Sequence, residues 1–539
     1  MRSKPLVLVS LLIAAFAINL DTTIVNVALP TLVRELHATT SQLQWVVDAY
    51  NLVFAALLLT SGSLSDRFGR KGMLLAGLGV FGGASFVGGL TTTPSQLIAA
   101  RAVMGLGAAM IFPATLSLIA NVFTERRERA RAIGLWGANA GVAIALGPIV
   151  GGWLLEHFSW SSIFFAMVPV AAVATVLVMV SVPSSKDPRS AKVDVPGFTL
   201  STAAMALLVF TIIEAPNDGW GSARSVAGFA GAAVVLGLFV GWERRIPVPM
   251  LDIRLFRNPR FTAASASVTV AFFSLFGFIF LMTQYFQFIR GYGPLSTGVH
   301  LLPVASSVAV GSVLGTRLAV RLGTKLVVSA GLVAVAAFYG WVAVISAATS
   351  YGIVAIQMVL YGIGMGFTAA PATESIMGAV PKDKAGVGSA VNDTTRLLGG
   401  TLGVAVIGSI YASVYNRRLA SELPAQLPAV ATHTAHQSVG AALAVAGRLG
   451  AFGQHQIASV VRAAASDSFI HGLSIGCLVA GGVAAAGALM AAALLPAQPS
   501  ASTLPASEPA PDELLVVGNN AGDAGDVGDV AAPAARMVT

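Results

Sequence analysis

Apolar residues in this chain arrive in blocks of about twenty or more, separated by short polar punctuation. Such a block spans about 30 Å of hydrocarbon as an α-helix rising 1.5 Å per residue. Within lipid a helix satisfies every backbone N–H and C=O internally. The blocks fall at 5–33, 43–64, 72–90, 95–123, 130–154, 159–182, 194–214, 223–242, 259–288, 296–320, 325–348, 351–380, 385–411 and 468–495. The pattern predicts an all-α polytopic membrane protein with fourteen spans. Composition agrees, since only 10% of residues are charged, against about 25% in a soluble protein.

Lysine and arginine set the expected orientation. With the N-terminus inside, the inner segments hold 22 of them and the outer loops 7, the asymmetry of the positive-inside rule. Cytoplasmic N- and C-termini follow, and the net charge of +8 reads as membrane topology rather than nucleic-acid binding. Arg2 and Lys4 precede an apolar stretch that runs far past the small residues Ala15-Phe16-Ala17. A cleaved signal has an apolar core of only about 7–15 residues, so the segment reads as a first span. The single cysteine, Cys477, excludes an intrachain disulfide and a cysteine-based metal site. Arginine outnumbers lysine 25 to 7, which leans towards a GC-rich bacterial genome. Residues 412–467 read as a long, partly helical outer loop, and 496–539 as a disordered cytoplasmic tail too poor in apolar residues to fold.

A weak internal repeat is present. Arg67-Phe-Gly-Arg-Lys71 matches Arg321-Leu-Gly-Thr-Lys325, and Gly105-Leu-Gly107 before Pro113 matches Gly362-Ile-Gly364 before Pro371. Ala132-Ile-Gly134 resembles Gly386-Val-Gly388. Each pairs a span with the one eight later. An N-terminal six-helix half (1–185), two inserted spans with their loops (186–258) and a C-terminal six-helix half (259–495) explain that offset. Parallel six-helix repeats with a substrate site between them near the midplane are a known transporter architecture.

The costly residues point to chemistry. A carboxylate at bilayer depth costs about 2.5–3.5 kcal/mol on insertion scales. Asp21 sits in the first span among Ser10, Ala14, Ala17 and Ala28, with Asn19, Thr22, Thr23 and Asn26 on the opposite side. A helix polar on two faces belongs inside the bundle. Asp48 in the second span and Arg101 in the fourth reach similar depth. The three form either a proton-exchanging set or, for Asp21 and Arg101, a static buried ion pair. In the second half, Asp393 and Arg396 are one helical step apart and can pair locally, while Glu374 has no basic neighbour in sequence. Phe276, Phe280 and Tyr285, with Phe272 and Phe286, are either packing or the lining of an apolar substrate pocket.

Four segments, in order and in the correct spans, resemble the major facilitator superfamily, in particular its fourteen-span drug:proton antiporter branch. They are Leu20-Asp-Thr-Thr-Ile-Val-Asn-Val-Ala-Leu-Pro30, Gly62-Ser-Leu-Ser-Asp-Arg-Phe-Gly-Arg-Lys71, Leu97 to Ala109 with Arg101 and Gly105, and Gly141 through Gly147-Pro148 to Gly151-Gly152. The resemblance implies a major facilitator fold arranged 6+2+6 and favours proton coupling through Asp21 and Arg101, with Asp48 and Asp393 as the further candidates for coupling. It implies a cytoplasmic gate at Gly62, Asp66, Arg67, Gly69 and Arg70, and an antiporter motif at Gly141, Gly147, Pro148, Gly151 and Gly152. Two departures stand out. The sixth span reads Trp160-Ser-Ser and Ala166-Met-Val-Pro169, and Val320 replaces the acid that Asp66 supplies in the first half.

The expectation is a monomeric, non-enzymatic antiporter of a bacterial cytoplasmic membrane. It exports hydrophobic, cationic or amphipathic drugs by alternating access, with Glu374, Asp21, Phe276, Phe280 and Tyr285 touching substrate. The proton motive force is its energy source; no cofactor, metal, nucleic acid or ATP is expected, and its other partner is membrane lipid. The rival readings are export of an endogenous lipid or envelope precursor, and proton-coupled import.

Overall fold

The computed structural model describes residues 3–185, 194–247, 249, 251, 253–380, 385–424 and 426–496; the tail expected at 496–539 lies almost wholly outside them. The helices are α1 (Lys4–Leu36), α2 (Thr40–Phe68), α3 (Arg70–Gly89), α4 (Pro94–Val122), α5 (Arg126–His157), α6 (Ser162–Phe165), α7 (Met167–Ser181), α8 (Val195–Asp218) and α9 (Ala223–Glu243). They continue as α10 (Pro259–Gln284), α11 (Pro294–His300), α12 (Leu302–Leu322), α13 (Thr324–Val342), α14 (Tyr351–Gly378), α15 (Ala385–Glu422), α16 (Ala429–Gln437), α17 (Val439–Ala451) and α18 (His455–Leu494). Among the described residues thirteen helices are long and apolar enough to cross a membrane. The chain is a multi-pass, all-helical membrane protein.

The helix ends follow local chemistry. Thr39 caps α2 through a reciprocal capping box, its hydroxyl accepting from the Gln42 N–H while the Gln42 side chain accepts from the Thr39 N–H. Gly69 and Gly323 carry φ of 115° and 88°, at the α2–α3 and α12–α13 joints, where a side chain would be strained. Both belong to the repeated Arg-x-Gly-x-Lys pattern, so the turn itself explains that match. The expected tenth span is broken at Leu301, just before Pro303, which has no N–H for the carbonyl one turn earlier. The sixth is broken at Ala166.

Helix packing repeats between the two sets of spans. In the first, α2 and α3 pack on α4, α1 on α5, and α3 and α1 on α7; in the second, α12 and α13 pack on α14, α10 on α15, and α13 and α10 on α18. Between them, α8 packs on both α2 and α15, and α9 packs chiefly on α8.

Much of the expected loop at 412–467 is regular helix, since α15 continues to Glu422 and α18 begins at His455. Hydropathy registers only the segment at bilayer depth, whereas Ala-rich sequence continues a helix beyond it. α16 and α17 lie between, held by Thr40 Oγ1 donating to Gln437 O (3.2 Å) and Tyr415 Oη donating to Ala435 O (3.2 Å).

Candidate functional site

The first-span acid is paired. Arg101 Nη1 donates to Asp21 Oδ2 at 2.5 Å, and both side chains are 1% exposed. The arginine is held on three sides. Its Nε donates to Val46 O (3.0 Å), and its guanidinium lies 4.3 Å from the Tyr50 ring centroid. The Tyr50 hydroxyl in turn donates to Ile18 O. Gly105, one turn beyond Arg101, brings α4 against α2, where an added Cβ would meet the Tyr50 carbonyl at 2.5 Å. Sequence reading placed Asp21 and Arg101 together; Tyr50 and Val46 were missed, because neither a tyrosine nor a backbone carbonyl stands out in an apolar span.

Asp48 does not join the pair. Arg101 touches Val46 and Tyr50, each two residues from Asp48 and therefore about 200° around the helix. Gln44 and Leu52 share the Asp48 face. Gln44 Nε2 donates to Val404 O, Ala405 O and Ser409 Oγ, and Leu52 clusters with Val209, Ile212, Ile213 and Ala405. Asp48 thus faces the seam with α15 and α8. It is fully buried and neither carboxylate oxygen has a hydrogen-bond partner. Thr401, one turn before Ala405 on α15, is also buried with its hydroxyl unpartnered.

Most other polar groups of α1 bond within the helix, although Asn26 Oδ1 is buried without a partner. Asn19 donates to Ala15 O, Thr22 to Ile18 O and Asn26 to Thr22 O, each within the helix. Ser10 and Ser181 share a hydrogen bond of 2.7 Å. Thr23 does more. Pro148 leaves the carbonyl of Ile144 without its helical donor, and Thr23 Oγ1 donates to that carbonyl at 3.3 Å.

The glycine motif of α5 divides between two partners. Gly147 and Gly151 lie against Thr23 and Ile24 of α1. Gly152 lies against α11, where an added Cβ would stand 2.5 Å from Leu295 Cα, and Pro148 approaches Gly298. Gly141 has nothing within 4 Å of its Cβ position and is not part of either contact. The α5–α11 approach, the Gln44 bonds and Gln287 Nε2 donating to Val27 O (2.8 Å) join the two repeats near the end of the bundle where α1 finishes and α2 begins.

At the expected gate, a Cβ added at Gly62 would stand 3.8 Å from Pro113 Cβ, and Arg67 is exposed with its guanidinium 5.6 Å from the Phe68 ring centroid. The Arg70 N–H donates to Ser185 O (2.9 Å) and Lys71 Nζ to Met179 O (2.8 Å). The Asp66 side chain lies outside the described residues.

The second polar site lies between α14 and α15. Asp393 and Arg396 are 3.9 Å apart, with side chains 14% and 36% exposed. Asn392 accepts from Thr373 and donates to Asp393, and Arg396 donates to Thr373. The Arg396 guanidinium lies 5.3 Å from the Phe272 ring centroid. Thr373, Asn392 and Phe272 complete a cluster of which sequence spacing had suggested only Asp393 and Arg396. Glu374, next to Thr373, is exposed. The aromatic candidates are core residues. Phe280 and Tyr285 are fully buried, Tyr285 Oη donates to Ser346 O, and Phe276 lies over Gly400.

Comparisons with known proteins agree with the motifs and with the fold. The family model described as Major Facilitator Superfamily matches residues 11–404. The chain is 36% identical over 428 residues to multidrug resistance protein Stp of Mycobacterium tuberculosis (79% of each chain). It is 35% identical over 447 residues to multidrug efflux pump LfrA of Mycolicibacterium smegmatis (83% of this chain, 88% of that one). It is 31% identical to the tetracenomycin C resistance and export protein of Streptomyces glaucescens over 97% and 96% of the two lengths. Among solved structures, a bacterial homologue of the lysosomal transporter Spinster, inward-facing and occupied, superposes with a TM-score of 0.65 at 15% identity over 92% of this chain and 98% of that one. The inward-open xylose transporter XylE of E. coli gives 0.54 at 13% identity, over 92% and 97%. With its four motifs, its repeated helix packing and this family match over most of its length, the chain belongs to the major facilitator superfamily.

Proposed function

We propose that the protein is a proton-driven exporter of hydrophobic, amphipathic or cationic drugs across a bacterial cytoplasmic membrane. The carrying observation is a pair of carboxyl groups sealed at bilayer depth, Asp21 and Asp48, in a chain whose relatives are named as resistance and efflux proteins. An ionised carboxylate buried without a partner costs several kcal/mol, and a bound proton removes that cost. Asp48 has no partner, and it faces the α2–α15 seam that joins the repeats. Asp21 has one, so a proton arriving there competes with Arg101.

The arrangement fits fourteen spans in a 6+2+6 order with both termini cytoplasmic. α2 supplies the fourteenth span and α8–α9 form the inserted pair. In that orientation the contacts near Gly152 and Gln44 close the outer side. Opening to the outside separates Gly152 from Leu295 and Gln44 from α15, and protons then reach Asp48 and Asp21. Asp393, Arg396 and exposed Glu374 supply the charge a cationic substrate meets on the inner side. Arg67, Arg70 and Lys71 act at the cytoplasmic gate. Each elementary charge moved through 100 mV supplies about 2.3 kcal/mol, so proton stoichiometry decides whether cation export is driven.

The test is ethidium efflux from energised cells expressing the chain, with and without a proton uncoupler. Uncoupler-sensitive efflux is expected. Efflux that survives the uncoupler overturns proton drive. No transport of any tested drug returns the lipid-precursor and importer readings.

A further inference from the structure

α9 stands away from the seam it flanks. It packs on α8, and α8 packs on α2 and α15, which leaves a cavity of about 330 Å³ between α9, α8 and the α2–α15 seam. Small-molecule sites begin at about 300 Å³. Ala204, Leu208, Phe229, Ala232, Phe239 and Leu398 form much of its wall. Its polar members are Ser201, whose hydroxyl bonds Phe198 O within the helix, and Thr394, whose hydroxyl is buried and unpartnered. A buried water needs about two to four polar partners, so one spare hydroxyl cannot hold a hydrated ligand there. Of the wall helices, α8, α9 and α15 are long and apolar enough to cross a membrane, and an apolar gap at that depth is filled by hydrocarbon.

The rim supplies a second, polar observation. Beyond Phe239 the helix ends at Glu243, and Arg244 and Arg245 follow, both exposed. Arg244 lies five residues past Phe239, about 7.5 Å along a helix axis. Trp242, with an exposed ring, donates to Asp194 Oδ1 (2.9 Å) at the same level, the position of an interfacial anchor. The acids nearby are turned inwards: Asp194 is buried and bonded to Trp242 and the Gly197 N–H, and Glu243 is buried and accepts from the Leu251 N–H. The rim therefore presents cations to the headgroup region above an apolar slot.

We propose that this slot is a binding site for an anionic phospholipid, with one acyl chain between α9 and the α2–α15 seam and the headgroup phosphate at Arg244 and Arg245. The site does not depend on proton coupling or on the direction of transport. Because α8 touches both repeats, an acyl chain there props the inserted pair against the seam that parts when the repeats rock.

The full chain in nanodiscs, carrying phosphatidylglycerol or phosphatidylcholine with a diazirine in mid-acyl chain, tests this by photolabelling and peptide mass spectrometry. Phosphatidylglycerol is expected to label α8 and α9 at the slot. Ala232→Trp, which fills the slot, removes most of that label, and Leu236→Trp at the more exposed edge does the same if the first variant folds poorly. Arg244→Gln with Arg245→Gln lowers phosphatidylglycerol labelling about thirtyfold and leaves phosphatidylcholine labelling unchanged. Undiminished labelling in folded Trp variants overturns the site. Equal labelling by both lipids in the native chain overturns the anionic headgroup assignment. Loss of label on adding ethidium makes the slot a drug site and overturns the lipid proposal.

Discussion

The two repeats share a packing plan but hold their charges differently. In the first, Asp21 and Arg101 are sealed at 2.5 Å and 1% exposure, and the arginine is also bound to a backbone carbonyl and an aromatic face. In the second, Asp393 and Arg396 are 3.9 Å apart, partly exposed, and linked through Thr373 and Asn392. A sealed pair resists loss of either partner, since breaking a buried pair costs about 3–5 kcal/mol, whereas an exposed one contributes about 0–1 kcal/mol. The difference is a rigid, sealed pair in the first repeat and a looser, partly exposed one in the second.

Arg101→Ala breaks the comparison most severely. It leaves the Asp21 carboxylate buried and unpaired, so thermal stability in detergent falls by the equivalent of about 3–5 kcal/mol and efflux disappears. Asp21→Asn removes coupled efflux too, and the structure adds that Arg101 then loses its charge partner, so yield falls as well. The double change Asp21→Leu with Arg101→Met restores most of the stability, as replacement of a buried pair by apolar groups does, and restores no transport. Uncoupler-sensitive efflux by that double variant would reduce the pair to a helix staple.

Gly152→Leu comes next. Its side chain meets the backbone of Leu295 and Pro294, overpacking the state in which the repeats touch at that end. About 1–3 kcal/mol of strain lowers the population of that state roughly five- to a hundredfold and slows efflux. Gly141→Leu, with open space around it, leaves transport near the native rate. Equal effects at the two positions would sink the division of the motif. Asp48→Asn follows: the amide keeps the shape of a group that has no partner to lose, so stability holds while efflux loses its response to an imposed proton gradient. An unchanged response removes Asp48 from the coupling set.

The all-helical, multi-pass class and the repeat were legible because hydrocarbon thickness and helix geometry constrain every block alike, although thirteen helices of the described residues, rather than fourteen, are long and apolar enough to cross a membrane. Gly69 and Gly323 were legible for a local reason, the left-handed turn each supplies. Asp21 with Arg101 could be read because charges in lipid are expensive and few. Asp48 could not be oriented, since similar depth says nothing about azimuth; the contacts of Val46 and Tyr50 with Arg101 on one side of α2, and of Gln44 and Leu52 with α15 and α8 on the other, turn it towards α15. The same limit applies to Gly141, which carries the motif's spacing but no close partner. Phe276, Phe280 and Tyr285 show that an aromatic stripe does not distinguish wall from filling, because burial of either face gives the same sequence. At 412–467 the Ala-rich composition showed partial helix, but not how far the helices of the spans continue into it, because such helix is less apolar than a span.

The smallest effect sharpens the comparison from the other side. The Asp393–Arg396 pair is long and partly exposed, so Asp393→Asn shifts stability by no more than about 1 kcal/mol. Its neighbours keep the site intact, because the amide can still accept from Asn392 and the Arg396–Thr373 and Thr373–Asn392 bonds do not pass through it. What changes is charge. With Arg396 left uncompensated, a cationic dye meets a more positive site, so its KM rises severalfold while that of a neutral drug stays level. Glu374→Gln, at an exposed acid beside Thr373, moves the same ratio in the same direction. An equal change for cationic and neutral substrates in both variants would show that the accessible charge of the second repeat serves the helices rather than the cargo.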